Sequence, residues 1–344
     1  MKKLYIITGA FGHLGNTLVK MLLQKGERVR CLALPQENLS CVDIPASDNI
    51  RVITGDVLDK DSLHALFALD DSPCEVIVIH AAGIVSIASK YVQKVVDVNV
   101  TGTKNIIEMC LEHNVSKLIY ISSVHAIPEL PDRRTITEVD SFEPDLVEGL
   151  YAKTKAEATQ LVLNSKHRGL HAVVVHPSGI IGPGDYGHNH LNQMVIDYIN
   201  GSLTSLVEGG FDFVDVRDVA QGILLAEEYG GPGQCYILSN RYFSVKELAD
   251  LIHEVSGKRK ISRILPRWFV KLVAPLAELY YKLLRRPPLF TGYSLYTLTS
   301  NSNFSHEKAN RALGYTTRSM SETLRDTISF LKQHGRIKAK NLRQ

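Results

Sequence analysis

Tyr151 and Lys155 stand four residues apart in the stretch Tyr151-Ala152-Lys153-Thr154-Lys155. On a helix that spacing puts a phenol and an ammonium on one face. A fixed cation beside a phenol favours the phenolate, and each unit moved from the usual pKa of about 10 is worth about 1.4 kcal/mol. The pair therefore reads as a proton donor and acceptor brought toward working pH. Alone it is an ordinary pairing on a helix surface. It gains weight from two neighbours in the sequence: an apolar run ending in the hydroxyls Ser122 and Ser123, and a second one closed by His176-Pro177-Ser178.

The other chemical feature is a glycine turn. Leu4-Tyr5-Ile6-Ile7 leads at once into Thr8-Gly9-Ala10-Phe11-Gly12-His13-Leu14-Gly15, and a helix-period stretch follows over 16–25. Strand, turn and helix in that order offer an anion the unpaired N–H groups and the positive end of a helix. Glycines at intervals of three let the backbone turn, approach a ligand and pack the helix on its strand. A dinucleotide pyrophosphate is the expected ligand, although two residues rather than one separate Gly9 from Gly12.

Positioning these groups requires a particular scaffold. Short apolar runs at 28–34, 51–57, 75–80, 117–123 and 171–177 alternate with helical patterns, among them one opening at Tyr151 and running to about 165. That rhythm predicts an α/β fold: a doubly wound parallel sheet of the Rossmann type with a smaller, mainly helical C-terminal substrate lobe. The expected division is a dinucleotide-binding domain over 1–178, rejoined by about 211–228, a substrate-binding lobe over 179–210 and 229–335, and a basic tail at 336–344. Within the lobe, 179–192 reads as a glycine- and histidine-rich loop, with helices over 244–256 and 321–334.

With the glycine turn, the Ser-Ser strand end, Tyr151-x-x-x-Lys155 and His176-Pro177-Ser178-Gly179-Ile180-Ile181-Gly182-Pro183-Gly184 in view, the chain resembles the extended short-chain dehydrogenase/reductases, the NAD-dependent epimerase/dehydratase family. The resemblance is strong over 1 to about 230 and looser beyond. Its last segment is similar to dihydroflavonol-reductase-like and 3β-hydroxysteroid-dehydrogenase-like members. Ser-Ser-Val-His lacks the Thr-Asp-Glu of sugar-nucleotide dehydratases, and His176 stands where the family usually has arginine.

The resemblance implies Tyr151 as general acid/base, Lys155 as holder of the nicotinamide ribose and Ser123 as hydrogen-bond partner of the substrate oxygen. Ser123 is preferred to Ser122 because it lies nearer the carboxyl edge of the sheet, where ligands bind. Coenzyme contacts are expected from Gly9, Phe11, Gly12, His13, Leu14, Gly15, Ala81, Ala82, Gly83, Asn99, Tyr151, Lys155, Pro177 and Ser178. Asp56 and Val57 would meet the adenine, unless Asp56 caps the helix that starts near 59–62. His80 reads as structural, and Asn99 as a tie between its helix and neighbouring backbone. The end of the second strand, Leu34-Pro35-Gln36-Glu37-Asn38, has neither the usual acid nor an arginine. The missing acid favours NADP(H), and Glu37 keeps NAD(H) open.

The 344 residues carry a net charge of +3, with 44% hydrophobic and 22% charged residues. This balance gives no case for nucleic acid or an anionic membrane as the main partner. The partner expected is a small molecule; a homodimer is open. Five scattered cysteines and an N-terminus running directly into a strand point to a reducing, cytoplasmic setting. The apolar region 268–284 is interrupted by Lys271, Pro275, Glu278 and Lys282 and does not read as a membrane span. Trp268, Phe269, Tyr280, Tyr281, Phe290, Tyr293 and Tyr296 could line an apolar pocket or lid, or form the core of the lobe. Arg259, Arg263 and Arg267 could meet a diphosphate or remain solvated surface. Two close histidines, His188 and His190, lack a third ligand, and no metal is expected.

These features point to an NAD(P)(H)-dependent enzyme interconverting a secondary alcohol and a ketone on an apolar, ring-shaped small molecule. The alternatives are a sugar-nucleotide epimerase retaining NAD, and a redox-sensing binding protein, against which the intact Tyr-Lys pair argues.

Overall fold

The computed structural model of the chain describes residues 3–68, 74–86, 90–187, 189–266 and 292–337. Seven parallel strands form its main sheet: β1 (Lys3–Thr8), β2 (Arg28–Ala33), β3 (Ile50–Thr54), β4 (Glu75–His80), β5 (Lys117–Ile121), β6 (Ala172–Pro177) and a late strand, Cys235–Leu238. Their spatial order is Cys235–Leu238, β6, β5, β4, β1, β2, β3. The chain therefore reverses direction across the sheet between β1 and β4, paired in register from Lys3↔Glu75 to Thr8↔His80. Ligands of doubly wound sheets bind at that reversal, beyond the carboxyl ends of the strands.

Residues alternate along each strand between two cores, as the period of two demands. Ile6, Val76, Val78, Leu118, Tyr120 and Val174 face one side. It is covered by α2 (Lys60–Phe67), α4 (Thr103–Glu112) and α5 (Leu150–Asn164). Ile7, Ile77, Ile79, Ile119, Ile121 and Val175 face the other, under α1 (His13–Gln24) and α7 (Val216–Tyr229). Burial on both faces explains why these strands read as continuous apolar runs. Between β4 and α4, the short α3 (Gln93–Val96) passes into a π-helical turn, Asp97–Gly102.

Two expectations about the second half are corrected. Residues 235–238 were assigned to the lobe, yet this strand pairs parallel with β6, Cys235↔Val174 to Leu238↔Pro177, and completes the main sheet. Four residues are too few to announce a strand by pattern. The stretch 179–192 is not all loop: β7 (Gly179–Ile181) opens it, and α6 (His190–Asn200) starts within it, capped by the Asn189 side chain on Leu191 N–H. β7 joins β9 (Gly210–Asp215) and Arg241–Ser244 in a three-stranded sheet, and β8 (Leu206–Val207) pairs with Ile264–Leu265. The smaller part of the chain thus carries sheet as well as the helices Val245–Ser256, Gly292–Thr299, Glu307–Leu313 and Met320–Gln333. Among the described residues no helix is long and apolar enough to cross a membrane.

Candidate active site

The glycine turn sits at the reversal point, and its three glycines have different reasons to be glycine. Gly9 has φ +66°, and a Cβ there would lie 2.7 Å from Ala82 N. A Cβ on Gly15 would lie 2.0 Å from Gly9 O, because α1 packs directly on the turn. Gly12 differs: a Cβ there would meet only Gly9 O, at 3.4 Å. Its open side faces away from protein, at the N-cap of a helix with no side-chain cap and no acidic residue in its first turn. The N–H groups and positive helix end left there fit a pyrophosphate. Both ring nitrogens of His13 are engaged within the protein, Nε2 donating to Pro183 O at 3.0 Å and Nδ1 accepting from Asn189 at 3.4 Å. Phe11 is buried, and Leu14 is half-buried against the core.

Beyond β4 a polar chain ties the neighbouring loops. Ala82 N–H donates to Thr8 Oγ1 at 3.2 Å, and Thr8 donates to His80 Nδ1 at 2.7 Å. His80 Nε2 donates to Thr103 Oγ1 at 3.1 Å, and Thr103 donates to Asn99 O at 2.7 Å. The direction of each bond follows from the last: Thr103 has given its proton to a carbonyl, so the imidazole must donate to it. His80 is thereby held neutral, and burial lowers it to about 3. Asn99 accepts from Ile84 N–H at 2.8 Å and donates to Ile84 O at 3.1 Å and Thr154 Oγ1 at 3.0 Å, tying its turn to the loop after β4 and to α5. Gly83 faces the site, where a Cβ would lie 3.4 Å from Lys155 Nζ. Ala81 and Ala82 are half-buried beside it.

The carboxyl end of β5 and the first turns of α5 bring Ser123, Tyr151 and Lys155 together, all buried. Ser122 turns to the interior and donates to Thr159 Oγ1 at 2.6 Å. Ser123 Oγ accepts from His125 N–H at 3.2 Å and lies close enough to the Tyr151 phenol to act on its acidity. Behind it His176, fully buried and stacked on Phe142, donates Nδ1–H to Ser123 O at 3.0 Å. That is what the histidine supplies in place of the arginine expected here.

Lys155 donates to Ile121 O at 2.7 Å, and burial brings it down to about 8. Tyr151 departs from the sequence-based expectation. Burial pushes its phenol up to about 12, opposed by the neighbouring Ser123 hydroxyl, while the lysine ammonium is engaged by a backbone carbonyl. The lysine is in place, but desolvation, not the cation, dominates the phenol.

The remaining candidates lie around this centre. Asp56 accepts from Leu58 N–H at 3.0 Å, and the cap of α2 is Asp59, which accepts from Asp61 and Ser62 N–H. Asp56 is therefore not the helix cap. Val57 is buried, its carbonyl fixed by Asn105 Nδ2 at 2.9 Å. Pro177 ends β6, and Ser178 is held by two bonds, its hydroxyl donating to Asp212 at 2.6 Å and its N–H to Leu238 O at 3.2 Å. Arg259 and Arg263 are exposed, as expected of solvated surface.

Next to the Tyr151 ring, 6.1 Å between centroids, His125 stacks on Phe211 at 5.2 Å. Both line a cavity of about 230 Å³, with Val124, Ile127, Val147 and Phe304 as apolar wall and Glu129, Asp145 and Glu148 at its rim. Tyr296, one of the expected aromatics, closes the rim by donating to Glu129 at 2.6 Å. Tyr293 lies on the same helix, Gly292–Thr299. Trp268, Phe269, Tyr280, Tyr281, Phe290, Arg267 and His188 lie outside the described residues. Sequence reasoning missed His125, Phe211 and Phe304. The first had a signal, being two residues past a strand-end serine; the others are far away in the chain.

The buried histidines give a pH test. His80 is lowered to about 3 and His176 to about 4, both by burial first. Below the unfolded value of about 6.5 the unfolded chain takes protons the native site refuses, so stability is lost as pH falls from about 6.5 toward 4. His125, lowered to about 4 by burial, behaves alike, and three such groups give up to about 4 kcal/mol per pH unit. Urea unfolding at stepped pH reads this slope, and a flat response over that window contradicts it.

The sequence model of the 3-beta hydroxysteroid dehydrogenase/isomerase family matches residues 6–247. Sterol demethylase protein B of Methylococcus capsulatus is 28% identical over 339 residues, 96% of this chain and 99% of its own. A 3-beta-hydroxysteroid dehydrogenase of Mycolicibacterium neoaurum is 27% identical over 324 residues, 90% of this chain and 86% of its own. Among solved structures, gox2253 is 30% identical with a TM-score of 0.81, covering 97% of this chain and 99% of its own.

Proposed function

The chain belongs to the 3-beta hydroxysteroid dehydrogenase/isomerase family, of the extended short-chain type, and on that premise we propose how its site works. It is an NAD(P)-dependent oxidoreductase that interconverts a secondary alcohol and a ketone on an apolar small molecule. The observation that carries this reading is the burial of Ser123, Tyr151 and Lys155 together, with Lys155 across from Gly83 and His125 joining the Tyr151 ring to the neighbouring cavity.

A nicotinamide coenzyme, held by the residues at the reversal point, would supply the hydride chemistry. The protein does the rest. The Gly9–Gly15 turn and the start of α1 would hold the pyrophosphate, and Asp56 and Val57 would flank the adenine. Lys155, pinned by Ile121 O, is placed for the ribose hydroxyls. Tyr151 gives its proton to the carbonyl oxygen during reduction, and Ser123 holds that oxygen with a second hydrogen bond.

The names of the sterol and steroid relatives agree with a fused-ring, apolar substrate that would lie between His125, Phe211 and Phe304. As to coenzyme, the lack of an acid directly after β2 favours NADP(H). Glu37 works the other way, since it accepts from Leu34 N–H at 3.1 Å and so places an anion at the end of β2. Following absorbance of NADPH or NADH with a panel of ring ketones and, separately, UDP-sugars tests the reading. Coenzyme oxidation by the ketones alone is expected. Tightly retained coenzyme with sugar inversion and no net redox change would replace this reading with epimerisation.

A further inference from the structure

On the face of the molecule where α2 and α4 pack together, two helix ends bring three metal-ligating side chains to one place. His64 lies in the last turn of α2, Glu112 is the last residue of α4, and His113 is its C-cap. One ligand atom from each lies within 4.8 Å of the others, with His64 Nδ1 3.9 Å from Glu112 Oε1. We propose that His64, Glu112 and His113 form a binding site for a divalent first-row transition metal, with Zn²⁺ as the test case.

Four observations support it. The donor set is two imidazoles and one carboxylate, which suits Zn²⁺ and its neighbours rather than Mg²⁺ or Ca²⁺, whose sites are built from oxygens. Ligand distances of about 2.1 Å in a tetrahedron require donors about 3.4 Å apart. The gap between His64 and Glu112 closes by about half an ångström through rotation of two half-exposed side chains, 49% and 50% accessible. The His113 ring is held against Phe67 at 5.4 Å, and its Nε2 is buried with no hydrogen-bond partner among the described residues. Finally, the negative end of α4 points at the site, and the end of α2 lies close by, a potential that favours a cation.

A metal there would join α2 to α4. The loop Asp56–Val57 runs directly into α2, and Asn105 of α4 holds the Val57 carbonyl, so the same two helices frame the region assigned to the adenine. The site would therefore brace one end of the coenzyme cleft without touching the reacting groups.

Titration calorimetry of the full, untagged chain with Zn²⁺ tests the proposal, with thermal unfolding in parallel. One saturable site per chain and a raised melting temperature are expected, and Co²⁺ in its place should give a visible d–d absorption. His64→Gln and His113→Gln should each weaken Zn²⁺ binding by at least about tenfold and abolish the Co²⁺ band. His64 is half-exposed, so its variant decides the matter even if His113→Gln disturbs the packing on Phe67. Absence of saturable uptake, or unchanged affinity in His64→Gln, overturns the site.

Discussion

Replacing Tyr151 with Phe should leave a folded protein that binds coenzyme as the wild type does and turns over about 10²–10⁴ times more slowly. The substitution removes one oxygen and keeps the ring, so the 6.1 Å edge contact with His125 persists. Ser123 still accepts from His125 N–H, so no orphaned group accounts for the loss of rate. Lys155 keeps its bond to Ile121 O, and the ribose position is unaffected. Coenzyme fluorescence titration beside steady-state kinetics separates the two effects. Turnover at the wild-type rate would mean that another group moves the proton. The direction of reaction enters as well. With burial holding the phenol near 12, the protonated form dominates across the neutral range, which suits reduction. Oxidation requires the phenolate and should accelerate as pH rises.

The main sheet was legible because five of its runs are long and apolar enough to be buried on both faces, and the alternation of strand and helix fixes their parallel order. Ser123 was separable from Ser122 by one fact, its place one step nearer the ligand edge; the structure turns Ser122 toward Thr159. What stayed hidden depends on contacts between distant segments. The relay from Thr8 through His80 and Thr103 to Asn99 spans most of the first hundred residues, and none of its members announces the others. Lys155 is held by a backbone carbonyl, which leaves no trace in residue types, and the expectation that it would lower the phenol ignored how deeply the phenol is buried. The cavity is built from residues near 125, 147, 211 and 304, joined only by the packing of the small sheet and the late helices against the site. Strand Cys235–Leu238 was misplaced for a related reason: its identity lies in its neighbour β6, not in its own four residues.

The glycine turn yields the second large effect, and it rests on the difference among its members. Gly12→Ala should fold normally and lose coenzyme. Its backbone, φ −71° and ψ 172°, is open to any residue, and the added methyl meets only Gly9 O at an ordinary 3.4 Å. Restricting the unfolded chain stabilises by about 0.4–1 kcal/mol. Alanine is a poorer N-cap than glycine by a comparable amount, so the two nearly cancel. The methyl instead occupies the open side of the turn, where a pyrophosphate must approach the first N–H groups of α1. Holding the phosphates off by one methyl group should weaken coenzyme binding about 10- to 100-fold, or about 1.4–2.8 kcal/mol. Gly15→Ala is the contrasting case: its methyl would sit 2.0 Å from Gly9 O, against backbone, and the protein itself should be destabilised by several kcal/mol. Thermal unfolding of both variants without coenzyme, followed by coenzyme titration of whichever folds, reads the two outcomes separately. If Gly12→Ala binds NADPH and NADH as tightly as the wild type, the phosphates do not cross this turn. The anchoring assigned to residues 9–15 would then be wrong, even with the catalytic serine, tyrosine and lysine correctly placed.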